Sequence, residues 1–172
     1  DIRVGDTVTV QRAGDVIPEI VGPVLSRRPQ NSKEFAFSDK LESDAFGAPL
    51  CPSCGSLVTK VADEAMYYCN NSACPAIVQA ALSHYVSRGA MDIDGLGERQ
   101  MAMMLARGLV SDAADLYSLE EKRAELITLE GHGQKSADNL LAAIEASKSR
   151  PLSRLIFGLG IPSVGEETAI DL

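Results

Sequence analysis

Four cysteines, Cys51, Cys54, Cys69 and Cys74, fall within 24 residues and are all the cysteines of the 172-residue chain. Their pattern is Cys-x2-Cys, a gap of fourteen residues, then Cys-x4-Cys. Two close thiol pairs about 12–20 residues apart suit a tetrahedral zinc site, each pair supplying two thiolates from a tight knuckle. Pro52 fixes one backbone angle in the first knuckle, and Gly55 allows a left-handed residue after the second ligand. Four thiolates leave no position for a water, so the zinc expected here is structural, not catalytic. Two disulfides would need an oxidising compartment, and nothing in the sequence points to secretion. A redox Cys-x-x-Cys would head a helix in a βαβ unit, which the pattern lacks; an iron site is the remaining alternative.

A second chemistry lies in paired glycines. Three segments align without gaps: Ile93–Met104, Leu129–Leu140 and Ile161–Leu172. Each has an apolar residue, one further position, Gly or Ser, one residue, Gly, and then a helical run. Gly95 and Gly97, Gly131 and Gly133, and Ser163 and Gly165 occupy the two small positions. The second glycines stand 36 and 32 residues apart. A helix start has backbone N–H groups without intrahelical partners and carries partial positive charge. Glycine lets a phosphate approach those donors with no Cβ in the way. One such turn is an ordinary helix connection; three in register point to a backbone-phosphate grip without sequence preference. Arg99, Lys135, Ser136 and Arg107 are candidate side-chain supports. Asp92 and Asp94 would repel phosphate and are expected to cap the first turn instead. Ser163 and Pro162 make the third turn the weakest candidate.

The elements that must position these groups are readable from periodicity. Asp6–Arg12 alternates polar and apolar residues as a half-buried strand does, a turn forms around Gly14, and Glu19–Leu25 reads as a second strand. Two strands bury no core, which leads to the expectation that the sheet continues in another segment. Arg27–Leu50 reads as an irregular linker. Leu57–Val61 and Ala65–Tyr68 suggest a short hairpin between the cysteine pairs. From Pro75 the pattern is helical. Helices are expected over Pro75–Arg88, stopping at Gly89, over Leu119–Leu126 with a capping box from Ser118 and Glu121, and over Pro151–Leu159. In the last, Leu152, Leu155, Ile156 and Leu159 share one side. At four and seven residues past the second glycines, Met101, Ala137 and Ala169, then Met104, Leu140 and Leu172, lie on one helix face.

Hydrophobic residues make up 45% and charged residues 23%, a globular balance, while aromatics are 5% and Trp is absent, which favours small aliphatic modules. No apolar run approaches the roughly 18 residues needed to span a bilayer. The net charge of −8 opposes a nucleic-acid partner at first sight. The excess acid is unevenly spread: Ser111–Leu129 alone carries five acids against Lys122 and Arg123. Any grip must therefore rest on main-chain donors more than on side-chain charge.

Several strings, GDTVTVQRAGDVIP (Gly5–Pro18), CPSCGS (Cys51–Ser56), HYVSRGAMDIDGLGE (His84–Glu98), GQKSADNLLAAIEASK (Gly133–Lys148) and LGIPSVGEETA (Leu159–Ala169), together resemble the bacterial NAD-dependent DNA ligase family in its order. The resemblance implies a multi-domain α+β chain: the end of an OB-fold (a partial β-barrel) over 1–28, a linker over 29–50, a small four-cysteine zinc finger over 51–74, and an all-α helix-hairpin-helix domain over 75–172. It implies that Arg12, Gly14 and Asp15 lie near DNA, with Arg12 touching the backbone, and that the helical part holds nicked duplex across the minor groove. NAD and Mg2+ would be bound only by an adenylation domain of the same chain, whose reactive lysine lies in a KxDG motif. No lysine of these 172 residues is followed by x-Asp-Gly, so this segment should neither react with NAD nor ligate alone. A segment of a longer bacterial protein, cytoplasmic and associated with the nucleoid, is the resulting expectation. The linker is longer than the resemblance suggests, and His132 stands where a bulky apolar residue is expected. A stand-alone zinc and helix-hairpin-helix DNA-binding protein is the alternative.

Overall fold

The structure is a computed structural model, described here for residues 2–13, 17–33, 41–60, 66–131 and 133–172. The chain divides into two compact units, Asp1–Asn70 and Asn71–Leu172.

In the first unit, β1 (Val8–Ala13) and β2 (Ile17–Pro23) form an antiparallel pair, with Val10 opposite Ile20 and Arg12 opposite Pro18. A register shift between Thr9 and Val10 places an extra residue in β2, a bulge that bends the ribbon. The strands sit one to two residues away from their expected bounds, and Leu25 belongs to a 3-10 turn (Leu25–Arg27) instead. Val10, Ile20 and Val21 are exposed, as two strands without a covering layer require. The open end of the ribbon is closed by Asp6, whose carboxylate accepts two hydrogen bonds from the Arg28 guanidinium, at 2.9 and 2.8 Å, and one from the Arg3 amide at 2.9 Å. Arg28 holds the Asp6 carboxyl below its ordinary range. The expected turn at Gly14 and Asp15 lies outside the described residues.

The stretch read as linker is not irregular throughout. Asp44 Oδ1 accepts from the amides of Phe46 and Ala48, and Ser43 bridges Pro49. Leu50 then bridges Leu57, just beyond the first cysteine pair. β3 (Val58–Lys60) pairs antiparallel with β4 (Tyr67–Cys69), so a hairpin joins the two cysteine pairs.

The second unit contains the core. α1 (Pro75–Tyr85) begins with Pro75, whose missing N–H costs nothing at a helix start. It ends at Val86, short of the expected stop at Gly89, because Ser87–Asp92 folds into a compact turn. There the Ala90 and Asp92 amides both donate to the Ser87 carbonyl. α2 (Glu98–Ala106) follows. The expected capping box at Ser118 does not form. A 3-10 segment, Asp115–Lys122, starts earlier, and α3 (Arg123–Leu126) is a single turn. Asp112 does the capping, its Oδ1 accepting from the amides of Ala114 and Asp115 at 2.8 and 3.1 Å. Asp112 alone satisfies amides at this start, while the Asp115 carboxylate accepts from Ser111 ahead of it, which the capping-box pattern did not anticipate. α4 (Gln134–Ser147), α5 (Leu152–Gly158) and α6 (Glu166–Asp171) complete the unit.

Leu82, Met91, Ile93, Leu96, Met101, Met104, Leu109, Leu116, Leu119, Leu126, Leu129, Ala137, Leu140 and Ile144 are buried together. Within this core Tyr85 and Tyr117 share a hydroxyl hydrogen bond of 3.0 Å, and Tyr117 in turn meets the Ser147 hydroxyl at 3.2 Å. Ser147 donates to the Ile144 carbonyl at 2.7 Å. The chain leaves no buried hydroxyl among these three unpaired, which is the condition for keeping polar groups in an apolar core. Burial raises the Tyr85 hydroxyl pKa. α1 and α5 approach closely at Gly158, where a Cβ would lie 3.2 Å from Ala90 Cβ and 3.3 Å from the Tyr85 ring. Of the residues read as sharing one side of α5, Leu152 and Leu159 are exposed, and Leu172 is exposed as well. Among the described residues no helix is long and apolar enough to cross a membrane.

Candidate metal centre and nucleic-acid interface

The first knuckle is a tight turn. The Gly55 amide donates to the Cys51 carbonyl, the Cys51 amide donates to the Ser56 carbonyl, both at 2.8 Å, and Gly55 takes the left-handed φ of +68°. Cys69 closes β4. Cys74 precedes α1 as its N-cap, and its amide donates to the Asn71 carbonyl at 2.9 Å. These elements bring all four Sγ atoms within 4.8 Å of one another, with Cys51 and Cys74 buried and Cys54 and Cys69 half-buried. Cys54 Sγ and Cys69 Sγ are 3.6 Å apart. Thiolates about 2.3 Å from a central zinc stand about 3.8 Å from one another in a tetrahedron, so the donor set fits that ion. At that spacing the sulfurs are not disulfide-bonded, and the all-sulfur donor set suits zinc.

The three glycine turns share one backbone. The first small residue of each has a left-handed φ: +90° at Gly95, +81° at Gly131 and +65° at Ser163. The second is the extended N-cap of a helix: Gly97 before α2, Gly133 before α4 and Gly165 before α6. The first intrahelical bond of each runs back to that glycine's carbonyl, from Met101, Ala137 and Ala169. The amides of the three intervening residues, such as Gln134, Lys135 and Ser136, therefore lack an intrahelical acceptor. Met101, Ala137 and Ala169 are buried, which anchors each helix start to the core.

Ser163 is no obstacle, since it adopts the same conformation as the glycines. The weakness of the third turn lies elsewhere: Glu166 and Glu167 occupy the first turn of a six-residue helix. The first helix carries Glu98 in its first turn, whereas α4 carries no acid there and has Lys135. All six small residues are exposed. A Cβ at Gly133 or Gly165 would meet nothing within 4 Å, and φ there is ordinary, so the fold does not require glycine at either place. At Gly97 a Cβ would come within 3.1 Å of the Gln100 side chain.

Lys135 is exposed and Ser136 half-buried at the start of α4, while Arg12 and Arg107 are exposed elsewhere. Arg99 and Glu130 pair at 2.8 Å, side chains 72% and 79% exposed, linking the mouths of the first two turns. That pairing joins residues 31 apart in sequence, and no local pattern signals it. Asp92 does not cap its turn: its carboxylate accepts from Arg150 at 2.6 Å, and its own φ is +52°. Gly14, Asp15 and His132 lie outside the described residues.

Residues 1–32 match the family model of the NAD-dependent DNA ligase OB-fold domain, and residues 51–76 match that of the NAD-dependent DNA ligase C4 zinc finger domain. Over 98% of its length the chain is 52% identical to a DNA ligase of Dehalococcoides mccartyi and 48% identical to one of Symbiobacterium thermophilum. It is 44% identical to a DNA ligase of Macrococcus caseolyticus over its full length. The chain spans about a quarter of the length of these relatives. Where the OB-fold match falls, the structure has one antiparallel pair and, among the described residues, no closed barrel. With a cysteine knot that fits the ion its family model names, and with about half of its residues shared along the matched length, the chain corresponds to a segment of the DNA ligases it resembles, and residues 1–32 and 51–76 within it match the OB-fold and C4 zinc finger domains of NAD-dependent DNA ligase.

Proposed function

We propose that this chain is the part of an NAD-dependent DNA ligase that holds nicked duplex by its sugar-phosphate backbone, without sequence preference, during nick sealing in replication and repair. The observation that carries the reading is the pair of exposed helix starts at Gly97 and Gly133, with Gly133 open to the approach of a ligand. On this reading residues 75–172 are a helix-hairpin-helix domain, 51–74 a zinc finger, 29–50 a linker and 1–28 the end of an OB-fold. Gly95, Gly97, Gly131, Gly133 and the Arg99, Lys135 and Ser136 side chains face the phosphates across a minor groove. Gly165 contributes least, because its acidic first turn repels an anion. Arg12, with Gly14 and Asp15 of the same sequence segment, also contacts DNA on this reading.

Zinc, held by Cys51, Cys54, Cys69 and Cys74, stabilises a module with few apolar residues of its own and takes no part in the chemistry. Adenylation by NAD and the use of Mg2+ belong to an adenylation domain, which carries the KxDG lysine missing from these residues; that domain is a partner in the same protein. The working place is the bacterial cytoplasm, at the nucleoid.

The test is fluorescence anisotropy with nicked and intact duplexes of several sequences at a series of salt concentrations. The reading requires measurable binding that weakens with salt and differs little between sequences. Strong discrimination between sequences, or no binding at low salt, would contradict it. Incubated with NAD, the chain should gain no covalent AMP.

A further inference from the structure

Most of this acidic chain intermixes acids and bases, but the 20 residues from Ala146 to Gly165 contain Lys148, Arg150 and Arg154 and no acid. The fold carries two of these cations to one place. Arg154 Nη1 donates to the Ala90 carbonyl at 3.3 Å, and Arg150 Nη2 meets the Asp92 carboxylate at 2.6 Å. Both therefore sit on the compact Ser87–Asp92 turn, which itself presents the exposed Arg88. Lys148 extends the cluster two residues before Arg150 and pairs with Glu145 at 2.5 Å. Counting Arg88, Lys148, Arg150 and Arg154 against Asp92, Glu145 and Glu166, which lines one cleft with Gly89 and Arg154, leaves one net positive charge, in a chain whose total is −8. Arg154 and Arg150 are tethered at their tips to a rigid turn, so holding them in place costs less entropy than ordering free side chains. Asp92 stands three residues before Gly95, at the entrance to the first glycine turn.

We propose that Arg88, Arg150 and Arg154, with Lys148, form a second contact for the duplex sugar-phosphate backbone, one that works by side-chain charge beside the main-chain grip of the glycine turns. It rests on the duplex-binding reading above. The partner chemistry is a row of phosphates, because the cluster is positive, planar guanidinia suit phosphate oxygens, and it adjoins a turn open to the same ligand. The Asp92 carboxylate orients Arg150 while leaving its exposed edge available, and a surface pair of this kind is weak enough to yield to a phosphate.

The test uses the whole 172-residue chain, zinc-loaded, with a nicked duplex and a titration of salt. Arg88→Gln and Lys148→Gln form one double variant, chosen because neither side chain belongs to the buried core; Arg150→Gln forms a second. The double variant should bind about 5- to 10-fold more weakly at low salt, and its plot of log affinity against log salt should flatten by about one to two units, near 0.9 for each phosphate that is no longer neutralised. Arg150→Gln should flatten it by about one. Thermal unfolding should match the parent for the double variant. Unchanged salt slopes in both variants, with the parent binding normally and Gly133→Val weakened, would overturn the second contact and leave the main-chain grip standing. Absence of binding by the parent would overturn both.

Discussion

Asp6 shows how much one carboxylate does in a unit with little core. It closes the β1–β2 ribbon by accepting from Arg28 and from the Arg3 amide, and Arg28 keeps its pKa below the ordinary 3.8. A carboxyl whose folded value is lowered stabilises fully above the unfolded value and loses that effect as pH falls through the folded one. Asp6→Asn should therefore speed amide hydrogen exchange in Val8–Pro23 at pH 7, and the difference from the parent should vanish well below pH 3.8. Equal exchange at pH 7 would show that the ribbon is held by other contacts. Asp112 makes a comparable case in the helical unit. Its Oδ1 caps the Asp115–Lys122 segment, so Asp112→Ala should cost about 0.5–2 kcal/mol in urea unfolding. The cap was not legible at Ser118, where the capping-box spacing pointed, because an aspartate six residues earlier satisfies the chain first.

Among the elements, what the sequence made legible and what it hid divide along a physical line. The second glycines marked all three helix starts correctly, since an extended N-cap followed by a buried residue four positions on is a local pattern. Ser163 adopting the glycine conformation was not legible, because the register of the repeat, more than residue type, dictates that turn. The cysteine spacing likewise foretold a cluster, as knuckle geometry is set within a few residues. Hidden were the features made by distant partners: Arg99 with Glu130, Arg150 with Asp92, and the approach of α5 to α1 at Gly158. Alanine at a helical glycine ordinarily gains up to about 1 kcal/mol. At Gly158 its Cβ would meet Ala90 and Tyr85, and overpacking costs about 1–3 kcal/mol. Gly158→Ala should therefore be destabilising by calorimetry, whereas the open Gly165 should accept Ala with no such penalty.

At the scale of the whole molecule, two supports hold different parts of the chain. The helical unit has its own core, and on the proposed reading the cysteine module is held by its zinc. Removing zinc with a chelator should release one zinc per chain and spread the NMR signals of Cys51–Cys69 into the unfolded range, while the helical circular dichroism falls little. Collapse of the helices on chelation would contradict that division. The grip on phosphate is assigned to the helix starts, and Gly133 isolates their contribution. Its φ is ordinary and its surroundings are open, so valine there should leave the fold intact. Anisotropy on a nicked duplex, comparing Gly133→Val with Lys135→Ala at equal thermal stability, is the direct measurement. Main-chain phosphate contacts require that Gly133→Val weaken binding more than Lys135→Ala does. The reverse order would mean that side-chain charge, not the open helix start, holds the DNA.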